Sequence, residues 1–140
     1  APDDALRSTL VPLNHRYPIA EVLDAAAEVA GAHGRRVTFE YAVIHGVNDG
    51  FDHAAALGRL LATWPGVGGA HVNCIPLNPT TGFSGRAPSP ARVRAFADAV
   101  RRPGVTVTVR RNRGVEIDAA CGQLRSRARA GDGSLGVVSV

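Results

Sequence analysis

The sequence predicts an α/β protein with a parallel sheet. Two observations carry that expectation. Apolar residues recur first at helical and then at strand spacing, three times over, and Pro, Gly, Asn and Asp cluster where the period changes. An alternation of this kind puts ligands at the C-terminal ends of the strands.

The first helix is expected over about residues 18–32, where Ile19, Val22, Leu23, Ala26, Val29 and Ala30 repeat at helical spacing. Pro18 suits its first turn, and Gly31 and Gly34 suit its end. A strand follows over 35–44, with Val37, Phe39, Tyr41 and Val43 on one face and Thr38, Glu40, Ala42 and Ile44 on the other. Gly46-Val47-Asn48-Asp49-Gly50 reads as a turn, its Asn and Asp placed to cap the next helix. That helix carries Ala54, Leu57, Leu61 and Trp64, and Pro65 and Gly66 stop it. Residues 70–76 make the second strand, and Pro76 to Pro88 a loop rich in Pro, Gly and Thr. Ser89-Pro90 is an N-cap and first-turn pair for a third helix whose buried stripe is Val93, Phe96, Ala97 and Val100. Val105, Val107 and Val109 alternate with Thr106, Thr108 and Arg110 in the third strand, over 104–110. Three strands leave edges that need covering, as in the back half of a βα barrel or open sheet. The strand ends, where a ligand would sit, are Ile44-His45-Gly46, Pro76-Leu77-Asn78 and Arg110–Arg113.

The 140 residues, 45% hydrophobic, are one domain's worth of ordinary globular sequence. No apolar run nears the ~20 residues that span a bilayer, so no membrane role is expected and the chain reads as cytoplasmic. Two cysteines, 74 and 121, are no disulfide framework. Methionine is absent and the chain opens on a turn-like Ala1-Pro2-Asp3-Asp4, so it reads as a piece of a longer protein. Charge is uneven: residues 1–85 carry 5 Arg against 8 acids, residues 86–140 carry 11 Arg against 4, and there is no Lys. Arg forks bind phosphate and stack on bases, so the basic half suggests a nucleic-acid surface; a solvated face in an Arg-rich proteome is the plainer alternative. Past Leu124, residues 126–140 read as a mobile Arg/Gly/Ser tail.

Cys121 is the strongest chemical candidate. Arg110, Arg111 and Arg113 favour a thiolate and Gly122 leaves room for a substrate, while Glu116 and Asp118 oppose the charge. Free cysteine is also a common core residue, and Cys74, mid-strand beside Ile75, fits that role. Asn78 ends the second strand in an Asn-Pro turn, where its amide can both donate to and accept from a polar ligand or simply start the turn. His15, His33, His45, His53 and His71 show no metal spacing; His45 and His71 flank strand ends. Glu40, mid-strand, is expected to find an Arg partner inside a barrel.

Four stretches, APDDALRSTLVPLNHRYPIAEVL, GRRVTFEYAVIHGVND, HVNCIPLNP and RGVEIDAACGQL, run from residue 1 to about 125. Together they resemble the radical-SAM RNA adenine-C2 methyltransferases, the RlmN/Cfr family. The resemblance implies that residues 1–125 are the C-terminal half of a radical-SAM partial βα barrel, incomplete in this chain. It implies methylation of an adenine in large-subunit rRNA and in tRNA by an enzyme that is a monomer when full-length. A cysteine matching Cys121 takes a methyl group from one S-adenosylmethionine, and a radical made from a second at a [4Fe-4S] cluster activates it. Adenine C2 is not nucleophilic, so a carbon radical is needed where polar transfer fails. The asparagine matching Asn78 contacts S-adenosylmethionine. The family's CxxxCxxC cluster motif, its second cysteine and its N-terminal RNA-binding domain have no counterpart here, so no metal ligand is expected in these residues and the chain by itself is expected to be inactive. The Arg-rich stretch 101–113 is expected to meet RNA phosphates. A C8-methylating enzyme of the same family, an inert RNA-binding remnant, and an unrelated enzyme using Cys121 as an ordinary nucleophile are the alternatives.

Overall fold

The computed structural model describes residues 1–77 and 86–110. Asn78, Cys121, Arg111, Arg113 and the 126–140 tail lie outside the described residues.

All three predicted helix–strand pairs appear almost as read. Helix α1 (Asp4–Leu10) and a short 3₁₀ turn (Pro12–His15) precede α2 (Ile19–His33), which leads into β1 (Thr38–Val43). Then come α3 (Phe51–Ala62), β2 (His71–Pro76), α4 (Pro90–Arg101) and β3 (Thr106–Val109). The strands lie in the order β1-β2-β3, both pairs parallel, with Thr38 opposite His71 and His71 opposite Thr106. Helices α3 and α4 are the crossovers that parallel pairing requires.

Alternation along the strands sends one set of side chains to the helices. Tyr41, Val43, Val72, Cys74 and Val107 join Leu57, Leu61, Phe96 and Val100 in one buried core. Phe96 packs on Tyr41 with ring centroids 5.1 Å apart, and Phe39 meets Trp64 edge-on at the same separation. Gly58 allows α3 and α4 to touch, since a Cβ there would stand 2.9 Å from Pro103 Cγ and 3.0 Å from the Val100 carbonyl. Ser89 caps α4 as predicted, its Oγ accepting the Arg92 N–H at 3.2 Å with Pro90 at the first position.

Four expectations fail for identifiable reasons. The opening segment is a helix and not just a turn, because Asp3 caps it by accepting the Leu6 N–H at 2.8 Å. Asn48 and Asp49 do not cap α3, whose N-cap is Gly50 with no side-chain bond. Both are buried and turned back toward the end of β1. The apolar stripe of α2 is wider than the surface it meets: Ala30 is buried, while Val22 and Val29 stay exposed. Glu40 is exposed and has no ion pair or hydrogen bond among the described residues. No Arg pairs with it among the described residues, whose helices cover only the opposite face of the sheet.

Candidate functional site

With α3 and α4 on one face, no described helix covers the other face of the sheet. It presents Thr38, Glu40 and Ala42 from β1, His71, Asn73 and Ile75 from β2, and Thr106 and Thr108 from β3. In β1 and β3 these side chains are exposed, and in β2 they are half-buried.

A directed hydrogen-bond chain crosses this face. Thr108 donates its hydroxyl proton to Asn73 Oδ1 at 3.1 Å. With that proton used, Thr108 Oγ1 can only accept from His71 Nε2, 3.2 Å away. The imidazole therefore carries its proton on Nε2, and Nδ1 accepts from the Thr38 hydroxyl at 3.0 Å. Desolvation, with Arg36 nearby, holds the His71 pKa below its ordinary value, which suits a neutral ring. The chain occupies Asn73 Oδ1 and turns its NH₂ group away from Thr108. Glu40, in register on the other side of Asn73, supplies a carboxylate that is unpaired among the described residues. Donor and acceptor thus stand side by side at mid-sheet.

A second group of candidate side chains lies at the C-terminal rim. Three backbone bonds draw it together: Leu77 N–H to the Val43 carbonyl, Arg110 N–H to that of Cys74, and His45 N–H to that of Arg86, each 2.9 Å. Asn48 is 1% exposed; its Oδ1 accepts the Ile44 N–H at 2.7 Å and its Nδ2 donates to the Ala42 carbonyl at 2.8 Å. The Tyr41 hydroxyl donates to the Asn48 carbonyl at 3.0 Å. Asp49 Oδ1 accepts the Gly46 N–H at 3.1 Å, while Oδ2 stands 3.5 Å from both His45 Nδ1 and Arg92 Nε.

Of the sequence candidates, His45 and Arg110 lie at this rim, and His71 lies at the opposite end of its strand. Cys74 is buried among core residues, and burial pushes its thiol up to about 11, so it is an inert packing group. Arg101, expected at RNA, bonds Asp98 at 2.6 Å and the Val107 carbonyl at 2.9 Å. It sits at the C-terminal end of α4, away from the rim. Sequence reasoning missed the Asn48–Asp49 knot and the Thr–His–Thr–Asn chain. The second left a signal: every one of its members falls on the polar parity of a strand. No group of three or more His, Cys, Asp or Glu among the described residues could hold a metal ion. None of their helices is long and apolar enough to cross a membrane.

Comparison with known proteins places this architecture. No family model matches the chain. It is 57% identical over 124 residues to the probable dual-specificity RNA methyltransferase RlmN of Frankia alni, covering 89% of this chain and 29% of that protein. The corresponding protein of Parafrankia sp. is 55% identical over 135 residues, covering 94% and 34%. The crystal structure of a radical SAM methyltransferase from Sphaerobacter thermophilus superposes with a TM-score of 0.78 at 51% identity, covering 88% of this chain and 35% of that one. A domain of pyruvate-formate lyase-activating enzyme from Bacteroides vulgatus shares the fold alone, at 18% identity and a TM-score of 0.59 over 78% of this chain and 62% of its own. The chain spans about a third of the length of the curated relatives it matches. Its three parallel strands are therefore part of a radical-SAM α/β fold, and the chain belongs to the RlmN family of radical-SAM RNA methyltransferases.

Proposed function

We propose that this chain is part of an enzyme that methylates C2 of an adenine in large-subunit rRNA and in tRNA, with Cys121 as methyl carrier and Asn78 as a contact for S-adenosylmethionine. The observation that carries the reading is 55–57% identity, over about nine-tenths of the chain, to proteins named dual-specificity RNA methyltransferases. The family's cofactors are S-adenosylmethionine and a [4Fe-4S] cluster, which supply the carbon radical that a non-nucleophilic adenine carbon needs. Such a cluster is held by several cysteine thiolates. The chain has two cysteines, and Cys74 is sealed in the core with a raised pKa. These residues do not fit a cluster, whose ligands belong to other parts of the complete enzyme. What this chain contributes is one wall: an open polar sheet face, a rim of basic side chains, and the sequence positions Asn78 and Cys121 just past two strand ends.

A chimera tests the reading. Residues 1–125 replace the corresponding segment of a full-length relative, in cells that lack their own enzyme, and modified nucleosides from 23S rRNA and tRNA are measured by mass spectrometry. C2-methyladenosine is expected in both RNAs, and Cys121→Ala abolishes it. C8-methyladenosine would move the chain to the other activity of the family. No methylation from a stable chimera that binds S-adenosylmethionine would refute the proposal.

A further inference from the structure

The rim cluster is not accounted for by packing alone. Asp49 is almost sealed from solvent, its side chain 6% exposed, yet the two basic side chains it faces, His45 and Arg92, are each 51% exposed. A carboxylate needed only to close the loop would be satisfied by the Gly46 N–H and one basic side chain. Here it braces two. Arg92 uses only Nε inward, donating to the Asp49 carbonyl at 3.0 Å and facing Oδ2 at 3.5 Å. Its two terminal nitrogens have no acceptor among the described residues, and neither does His45 Nε2. Arg86, whose carbonyl bonds the His45 N–H, and Arg110 at the end of β3 are also exposed and have no acidic partner among the described residues. Four basic side chains thus stand at one end of the sheet, two of them on a single buried acid.

We propose that His45 and Arg92, held on the shared Asp49 carboxylate, form a clamp for an RNA phosphodiester, with Arg86 and Arg110 extending the track along the rim. The proposal rests on the RNA-modifying reading for its choice of partner. Its chemistry follows from the donors: a guanidinium edge offers paired N–H groups that match two phosphate oxygens, and an imidazole, when protonated, donates from both nitrogens, one to Asp49 and one outward. Bracing matters because a pre-oriented side chain loses less freedom on binding. Phosphate affinity is sequence-independent and falls with salt.

The test uses the full 140-residue chain and a fluorescein-labelled single-stranded RNA of about 12 nucleotides, titrated by anisotropy between about 50 and 200 mM salt. His45→Ala, which keeps every backbone bond of the loop, and Arg92→Gln are compared with Arg35→Gln. That control removes one equal charge just before β1, at the opposite end of the sheet. The expected result is about tenfold weaker binding for Arg92→Gln, a smaller loss for His45→Ala, and a salt slope reduced by about one per lost contact. Arg35→Gln binds as the parent does. Equal losses in all three variants, unchanged slopes, or no RNA binding by the parent chain would overturn the clamp. The methylation chimera reads separately. Methylation with unaltered rim binding sinks the clamp and leaves the enzymatic reading. Rim-dependent binding without methylation does the reverse.

Discussion

On the helix-covered face, Tyr41, Val43, Val72, Cys74 and Val107 are 0–7% exposed and touch α3 and α4. One residue along each strand, on the open face, Thr38, His71, Asn73 and Thr108 are polar and bond mainly to one another, beside the exposed Glu40. The same backbone ladder serves both sets. The covered side chains gain from leaving water, about 25 cal/mol per Å² of apolar surface. The open ones exchange water for each other at nearly equal cost. Stability therefore belongs to one face, and the other is free to meet a ligand.

The sharpest way to break this contrast is at Phe96, 2% exposed and stacked on Tyr41. Phe96→Ala should lower the unfolding free energy by about 3–5 kcal/mol in urea titrations. A loss below about 1 kcal/mol would mean that α4 does not anchor the sheet.

Next comes pH. Burial lifts the Cys74 thiol from its ordinary 9 to about 11 in the folded chain. A raised folded-state pKa gives stability that is complete below the unfolded value and lost as pH rises through the folded one. Between pH 9 and 11 Cys74 should thus cost the native chain up to about 3 kcal/mol. Tyr41, whose phenol burial also pushes up, adds a loss of the same sign. Comparison with Cys74→Ala reads the thiol together with its charge effect on Tyr41, since the Cys74 charge is one cause of the raised phenol pKa. Parallel pH profiles for the two would show that the thiol does not titrate from a dry site.

The smallest effect is on the open face. Thr108→Val removes the link between His71 and Asn73, both in half-exposed positions. Its cost should stay below about 1 kcal/mol. The ¹⁵N spectrum of His71 should nevertheless change, since the acceptor that places its proton on Nε2 is gone. An unchanged spectrum would mean that Thr108 does not set the tautomer.

Much of the fold was legible in local pattern. Val93, Phe96, Ala97 and Val100 fall on one helical stripe and are all buried. Ser89-Pro90 announces its helix, and Thr106 and Thr108 alternate with Val105 and Val107 as the strand reading requires. The candidate site was less legible. Glu40 could be seen as an oddly placed charge, but whether anything paired with it depended on which face the helices covered. Asn48 and Asp49 look like helix caps in sequence because Asn and Asp favour that role. They lost it to the end of β1, where the Ile44 N–H and the Ala42 carbonyl offered bonds that no side chain closer in sequence supplies.

The sequence by itself determined the order of helices and strands, the core stripe of α4, and which residues face each side of the sheet, because periods of 3.6 and 2 are local properties of the backbone. It also carried the family, through four motifs in order. Tertiary structure decided what closes the ends of those elements. Helix α2 has no side-chain cap of its own. Its Ile19 N–H donates instead to the Asp4 carboxylate at 2.9 Å, a bond that is the largest cause holding Asp4 below its ordinary pKa. The Trp64 indole N–H reaches back across the chain to the Leu23 carbonyl at 3.0 Å. Buried and terminal backbone groups must find partners, and the nearest partner in space is set by packing, which sequence distance does not encode.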